Sequence, residues 1–138
     1  MSVATIQLKK LWWAGPLTVL AAIIGVLIVR MIARAILPSP YAPGLEMIML
    51  PIVLTLILCA GAVIVFALVG RFAKNPVRTY IIISTVFLGI SFLPDIAVAS
   101  APFPGAGWHY AVTLMIMHVV AGFVTVYMLI KLTTVDTK

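Results

Sequence analysis

Nothing constrains this chain more than the run from Leu11 to Val29, which holds no charged side chain. A helix needs about 20 mainly apolar residues to cross the hydrocarbon core of a bilayer, because only an internally hydrogen-bonded segment can sit there. The run therefore reads as a membrane span from Leu11 to about Arg34, with Pro16 in its first turns, where a missing N–H costs least. The pattern returns three times: from about Met47 to Gly70, from about Pro76 to Val98, and from about Trp108 to Leu132. Between the spans lie turn-forming segments, PSPYAPGLE over 38–46 and SAPFPGAG over 100–107.

Lys9 and Lys10 precede the first run, and Ala33-Arg34-Ala35 has the small-x-small spacing of a cleavage site. The run is nevertheless longer than the apolar core of a signal peptide, about 7–15 residues, so it is read as a retained span. The expected fold is all-α, a polytopic antiparallel four-helix transmembrane bundle forming a single transmembrane domain over 1–138 (spans 11–34, 47–70, 76–98 and 108–132).

Only 9% of the residues are charged, against about 25% in a soluble domain, too few to cover a soluble globule. The one cysteine, Cys59, rules out an intramolecular disulfide and any Cys-x-x-Cys site. A net charge of +6 suggests nucleic acid until the charges are placed. Lys9, Lys10, Arg71, Lys74, Arg78, Lys131 and Lys138 fall on one side of a four-span topology, and only Arg30 and Arg34 on the other. The positive-inside bias then places both termini in the cytoplasm and removes the nucleic-acid reading. The inner basic residues are expected to meet anionic lipid head groups. Trp12, Trp13, Tyr80, Trp108 and Tyr110 sit near span ends, where aromatic rings anchor at the interface.

Helices in lipid associate through small residues and interhelical hydrogen bonds. The expected inward faces are Thr18, Ala22 and Gly25 in the first span and Ala60-Gly61-Ala62 in the second. The third offers Thr85 with Gly89, and separately Ser84, Ser91 and Asp95. The fourth offers Ala111, His118, Gly122 and Thr125.

Among the polar residues, His118 is the most informative. It lies about 15 Å along the fourth span, and an ionisable group at that depth faces the bundle interior or a cavity. A neighbouring helix is expected to hydrogen-bond it, with Ser91 the named partner. The functional alternatives are a proton relay using His118, Ser91 and Asp95, an axial ligand to haem or chlorophyll, and a quinone contact. His109 is too far along the helix to share one iron with His118, so a bis-histidine site would need a dimer. Toward the outer side, Asp95 is expected to pair with Arg30 or Arg34, which are one turn apart, and Glu46 with the other arginine. The Met47/Met49 and Met115/Met117 pairs suit copper by ligand type, but residues two apart on a helix point apart. No catalytic constellation and no metal site is read from the sequence, and no cofactor is expected beyond the haem or chlorophyll alternative.

Arg78 entering the third span, Ser91 and Pro94 in a Ser-x-x-Pro, and Met117-His118 followed by Val119, Val120 and Ala121 resemble a family of small bacterial four-span membrane proteins, a domain of unknown function. The resemblance covers about residues 76–130. It implies a four-span bundle in the bacterial inner membrane and carries no catalytic role. Three functions then compete. The first is a non-enzymatic accessory or self-associating subunit, as a homo-oligomer or in a larger membrane complex. The second is a small carrier or ligand-binding bundle, with His118, Ser91 and Asp95 lining a cavity that reaches His118 and opens to the outside. The third is a haem-, pigment- or quinone-binding subunit. Burial of His118 in dry packing would eliminate the second.

Overall fold

Three residues, 73–75, separate two of the long helices, so the chain must reverse within a tight turn there. The computed structural model describes residues 4–37 and 39–136; Pro38 and Lys138 lie outside the described residues. The helices are α1 (Leu11–Ile36), the single turn α2 (Pro43–Glu46), α3 (Met49–Phe72), α4 (Pro76–Val98) and α5 (Trp108–Thr133). All but α2 are long and apolar enough to cross a membrane. The expected spans match them within about a turn at each end. The large side chains facing outward from the helices, among them Leu20, Ile24, Ile64, Val86 and Phe123, are apolar. The protein is thus a multi-pass membrane bundle with lipid as its outer solvent.

Around the bundle the order is α1, α3, α4, α5, with α3 and α5 in contact across the short diagonal. On α1 the buried face is Ala14, Thr18, Ala22, Val26, Arg30 and Ala33, in steps of four and then three, the spacing of one helical face. A Cβ at Gly25 would lie 2.9 Å from Val120 Cγ1, so α1 and α5 approach closely at mid-length.

Two of the expected faces need correction. On α4, Thr85 and Gly89 are exposed; Thr85 Oγ1 donates to Ile81 O at 2.8 Å, and a Cβ at Gly89 would meet nothing within 4 Å. The Ser84–Ser91–Asp95 face turns inward instead. A threonine that bonds its own helix can face lipid at little cost, whereas a carboxylate cannot. On α3 the buried positions are Pro51, Thr55, Cys59 and Phe66; Ala60 is exposed, while Gly61 and Ala62 border a cleft described below.

At one end a short ribbon joins the termini. β1 (Ala4–Ile6) pairs antiparallel with β2 (Thr134–Asp136), Ile6 opposite Thr134, and the Gln7 N–H continues the ladder to Thr133 O at 2.9 Å. Ile6 is buried with Phe66, Tyr80 and Leu129. The flanks Ala-Thr-Ile and Thr-Val-Asp carry β-branched residues, but three residues are too few to announce a strand by alternation.

At the other end, Val26, Ala33, Ala42, Leu45, Tyr110 and Met117 form the core. Here the 39–46 segment and the 99–107 loop fold over the helices. Gly105 has φ +77°, and a Cβ on it would run into the backbone of Tyr41 and Ala42, so both conformation and close approach require glycine.

Candidate functional site

Asp95 is the third residue before the end of α4, and His118 is the tenth after the start of α5. They nevertheless meet: His118 Nδ1 lies 2.7 Å from Asp95 Oδ2. The two helix ends are therefore not level. α5 runs past α4 by seven residues, about 10 Å at 1.5 Å per residue. The step is filled by the 99–107 loop, whose Phe103 packs edge-on against Tyr110 with centroids 6.2 Å apart.

This offset corrects the expected partners. Counting inward from each helix end put Ser91 beside His118. Ser91 Oγ instead donates to Leu88 O on its own helix at 2.7 Å. Asp95 is not paired with an arginine; among the described residues its one ion-pair partner within 4.0 Å is His118. Arg30 is buried, 6% exposed, and its Nη2 donates to the backbone carbonyl of Glu46 at 3.2 Å, while its Nε has no partner among the described residues. Arg34 is exposed, with its guanidinium 5.1 Å from the centre of the Tyr41 ring, and the Tyr41 hydroxyl donates back to Arg34 O at 2.9 Å. Glu46 thus meets Arg30 through its main chain rather than its carboxylate.

The pair stands at one end of a cleft of about 310 Å³ between α3, α4 and α5. Its walls are almost wholly apolar. Leu58, Ile83 and Phe87 at its rim are exposed, so it opens sideways through the lipid-facing surface at mid-length of the helices. Its inner wall on α5 is His118, Ala121, Gly122 and Thr125. Cys59 Sγ and Thr125 Oγ1 are 3.3 Å apart and satisfy each other. At the far end Tyr80 is 1% exposed, and its buried hydroxyl has no hydrogen-bond partner among the described residues. The His118 side chain is 29% exposed, against 5% for Asp95. The carboxylate is therefore the buried support, and the imidazole is the group that reaches the cleft.

Such an arrangement has a defined chemical capacity. A carboxylate on Nδ1 fixes the ring's orientation and leaves Nε2 to face what enters. That nitrogen can give or take a hydrogen bond, carry a proton, or ligate a metal held by another molecule. Among the described residues no protein group engages it.

The family of unknown function DUF6069 matches residues 6–134. The chain belongs to this family. The match takes in both halves of the chain, where the short motifs reached only the second. No curated protein and no solved structure matches the chain. In this DUF6069 member, sequence reasoning passed over Tyr80 as a cleft wall and Gly61 as its open side, and it grouped Asp95 with His118 and Ser91 without the direct Asp95–His118 bond. A signal for the pairing was present. The faces carrying Ser84, Ser91 and Asp95, and Ala111, His118 and Gly122, are both the small and polar faces of adjacent spans.

Proposed function

We propose that this protein is a ligand-binding membrane bundle, a carrier or receptor for a small lipophilic molecule held in the lateral cleft with its polar group at His118. The observation that carries this reading is that His118, braced by Asp95, reaches a cleft instead of being sealed in dry packing. Pockets of about 300 Å³ and above with few convergent polar groups are the usual form of small-molecule sites. The cleft extends from Tyr80 to Ser91 on α4, about 16 Å for eleven residues. Its volume drawn out over that length suits one chain or one small ring better than a macrocycle, so a haem or chlorophyll on His118 ranks behind a chain-like ligand.

The test uses a cleft-filling variant. A Cβ at Gly61 would meet nothing within 4 Å, and Gly61 borders the cleft, so Gly61→Leu directs a side chain from open space toward the ligand's place and improves helix propensity. Native mass spectrometry of wild-type protein in mild detergent is expected to show a retained lipophile that Gly61→Leu loses. Identical spectra for the two proteins would overturn the reading.

A second reading, self-association or an accessory place in a larger membrane complex, is favoured by α4. Thr85 and Gly89 lie four apart on its exposed face, the small-residue spacing that lets helices approach in lipid. It predicts a dimer that Gly89→Leu disperses. For orientation, the exposed Lys9, Arg71, Lys74, Arg78 and Lys131 at the end carrying the termini favour a cytoplasmic location for that end, in a bacterial inner membrane. Labelling of single cysteines introduced near residues 74 and 106 from either side of the membrane tests it.

A further inference from the structure

We infer that the polar head of the cleft's ligand is a hydrogen-bond acceptor, the carbonyl of a ketone, quinone or ester, received by an Nε2–H of His118. This rests on the ligand-binding reading above and names the class of ligand. Asp95 and His118 share one hydrogen bond of 2.7 Å. Three arrangements of the pair carry no net charge. In one, a carboxylate faces an imidazolium; in another, a carboxylic acid donates to Nδ1 of a neutral ring; both put a hydrogen on Nε2. In the third, Nδ1–H donates to the carbonyl oxygen of a carboxylic acid, and the acid O–H on the other oxygen then finds no acceptor among the described residues, which makes it the poorer state. The remaining arrangement, a carboxylate against a neutral ring protonated on Nδ1, leaves Nε2 bare and buries a net negative charge. An unpaired charge inside a membrane bundle is the costlier state.

The neighbouring groups do not relieve that cost. On α1, Arg30 turns its Nη2 to the Glu46 carbonyl, and its guanidinium is not within 4.0 Å of Asp95. On α3, Cys59 is occupied by Thr125. On α4, Ser91 is occupied by Leu88 O, and on α5, the Tyr110 hydroxyl accepts from the Gly44 N–H at 3.0 Å. The pair is therefore its own neutralisation, and its free edge is a donor. The rim lies at mid-length of the helices, so the ligand enters from the acyl-chain layer rather than from water. Its body must be apolar to lie against Ala121, Gly122 and Leu88.

The experiment uses the full chain in phosphatidylcholine nanodiscs with two probes of equal tail, decyl-benzoquinone and decylbenzene. Wild-type protein is expected to hold the quinone about tenfold more tightly than the hydrocarbon, the worth of one buried hydrogen bond. An isotope-labelled quinone carbonyl is expected to shift to lower infrared frequency on binding. His118→Leu is expected to erase both the preference and the shift, and His118→Gln, which keeps an amide N–H, to retain part of each. Should His118→Leu fail to fold, the wild-type shift and the His118→Gln series still decide. Equal affinity for the two probes with no shift, while Gly61→Leu blocks both, would overturn the acceptor inference and leave an acyl-chain groove. Binding of both probes undiminished by Gly61→Leu would overturn the ligand-binding reading itself.

Discussion

At the end that carries the termini, Phe66 and Tyr80 meet edge to face with ring centroids 4.7 Å apart, and Ile6 and Leu129 close around them. At the opposite end, the apolar core of Val26, Ala33, Ala42, Leu45, Tyr110 and Met117 is joined by three hydrogen bonds between side chains and backbone: Tyr110 with the Gly44 N–H, Arg30 with Glu46 O, and Tyr41 with Arg34 O. The first end is held by apolar contact and a backbone ladder, and its tyrosine hydroxyl finds no partner among the described residues. The second end adds specific polar atoms to its apolar core, and the ionisable pair lies beside it. The difference teaches where each end is vulnerable. Volume matters at the first, and individual atoms and backbone angles matter at the second.

The largest effect is expected from Phe66→Ala, which opens a cavity in the fully buried cluster. It should cost about 3 kcal/mol, the low end for such a truncation because lipid supplies little of the usual transfer term. Reversible unfolding in mild detergent measures it, and a loss below about 1 kcal/mol would remove the claim that this end depends on volume. Gly105→Val comes next, at about 2–3 kcal/mol, since it combines a disfavoured φ with a backbone collision. The same unfolding assay should also show faster proteolysis within 99–107; an unchanged cleavage rate would mean that the loop is not docked through this glycine.

A matched pair of tyrosines sharpens the contrast. Tyr110→Phe leaves the buried Gly44 N–H without its acceptor and should cost about 1–2 kcal/mol. Tyr80→Phe removes a hydroxyl that has no hydrogen-bond partner among the described residues, so its unfolding midpoint should stay level or rise. Equal losses from the two would erase the distinction between the ends. The smallest effect is expected from Lys131→Gln. Its ammonium donates to the Tyr127 hydroxyl at 2.8 Å on the exposed surface, and the melting temperature should not move.

How far the sequence led depends on the length scale of each feature. Spans of about twenty residues were legible because a bilayer imposes that length on apolar runs. Small faces on α1 and α5 were legible for the same kind of reason, since Thr18, Ala22, Ala111 and Thr125 repeat with the helical period and are buried. Thr85 and Gly89 obey the same spacing yet face outward. One residue of rotation, about 100°, separates them from Ser84 and Leu88, and a buried carboxylate decides the rotation. His118 was found, and its partner was not, because depth counted from helix ends assumes ends in one plane. The carbonyl that Arg30 bonds belongs to a loop whose path no periodicity records. The β1–β2 ribbon was too short to read at all.

That ribbon has a consequence for how the molecule is made. β2 follows the last span, so it can meet β1 only after α5 is in place. A chain with any one of its four spans left out of the bilayer would hold the two strands on opposite faces of the membrane. Pairing of Ile6 with Thr134 is therefore open only to a chain whose four spans have been inserted in even number.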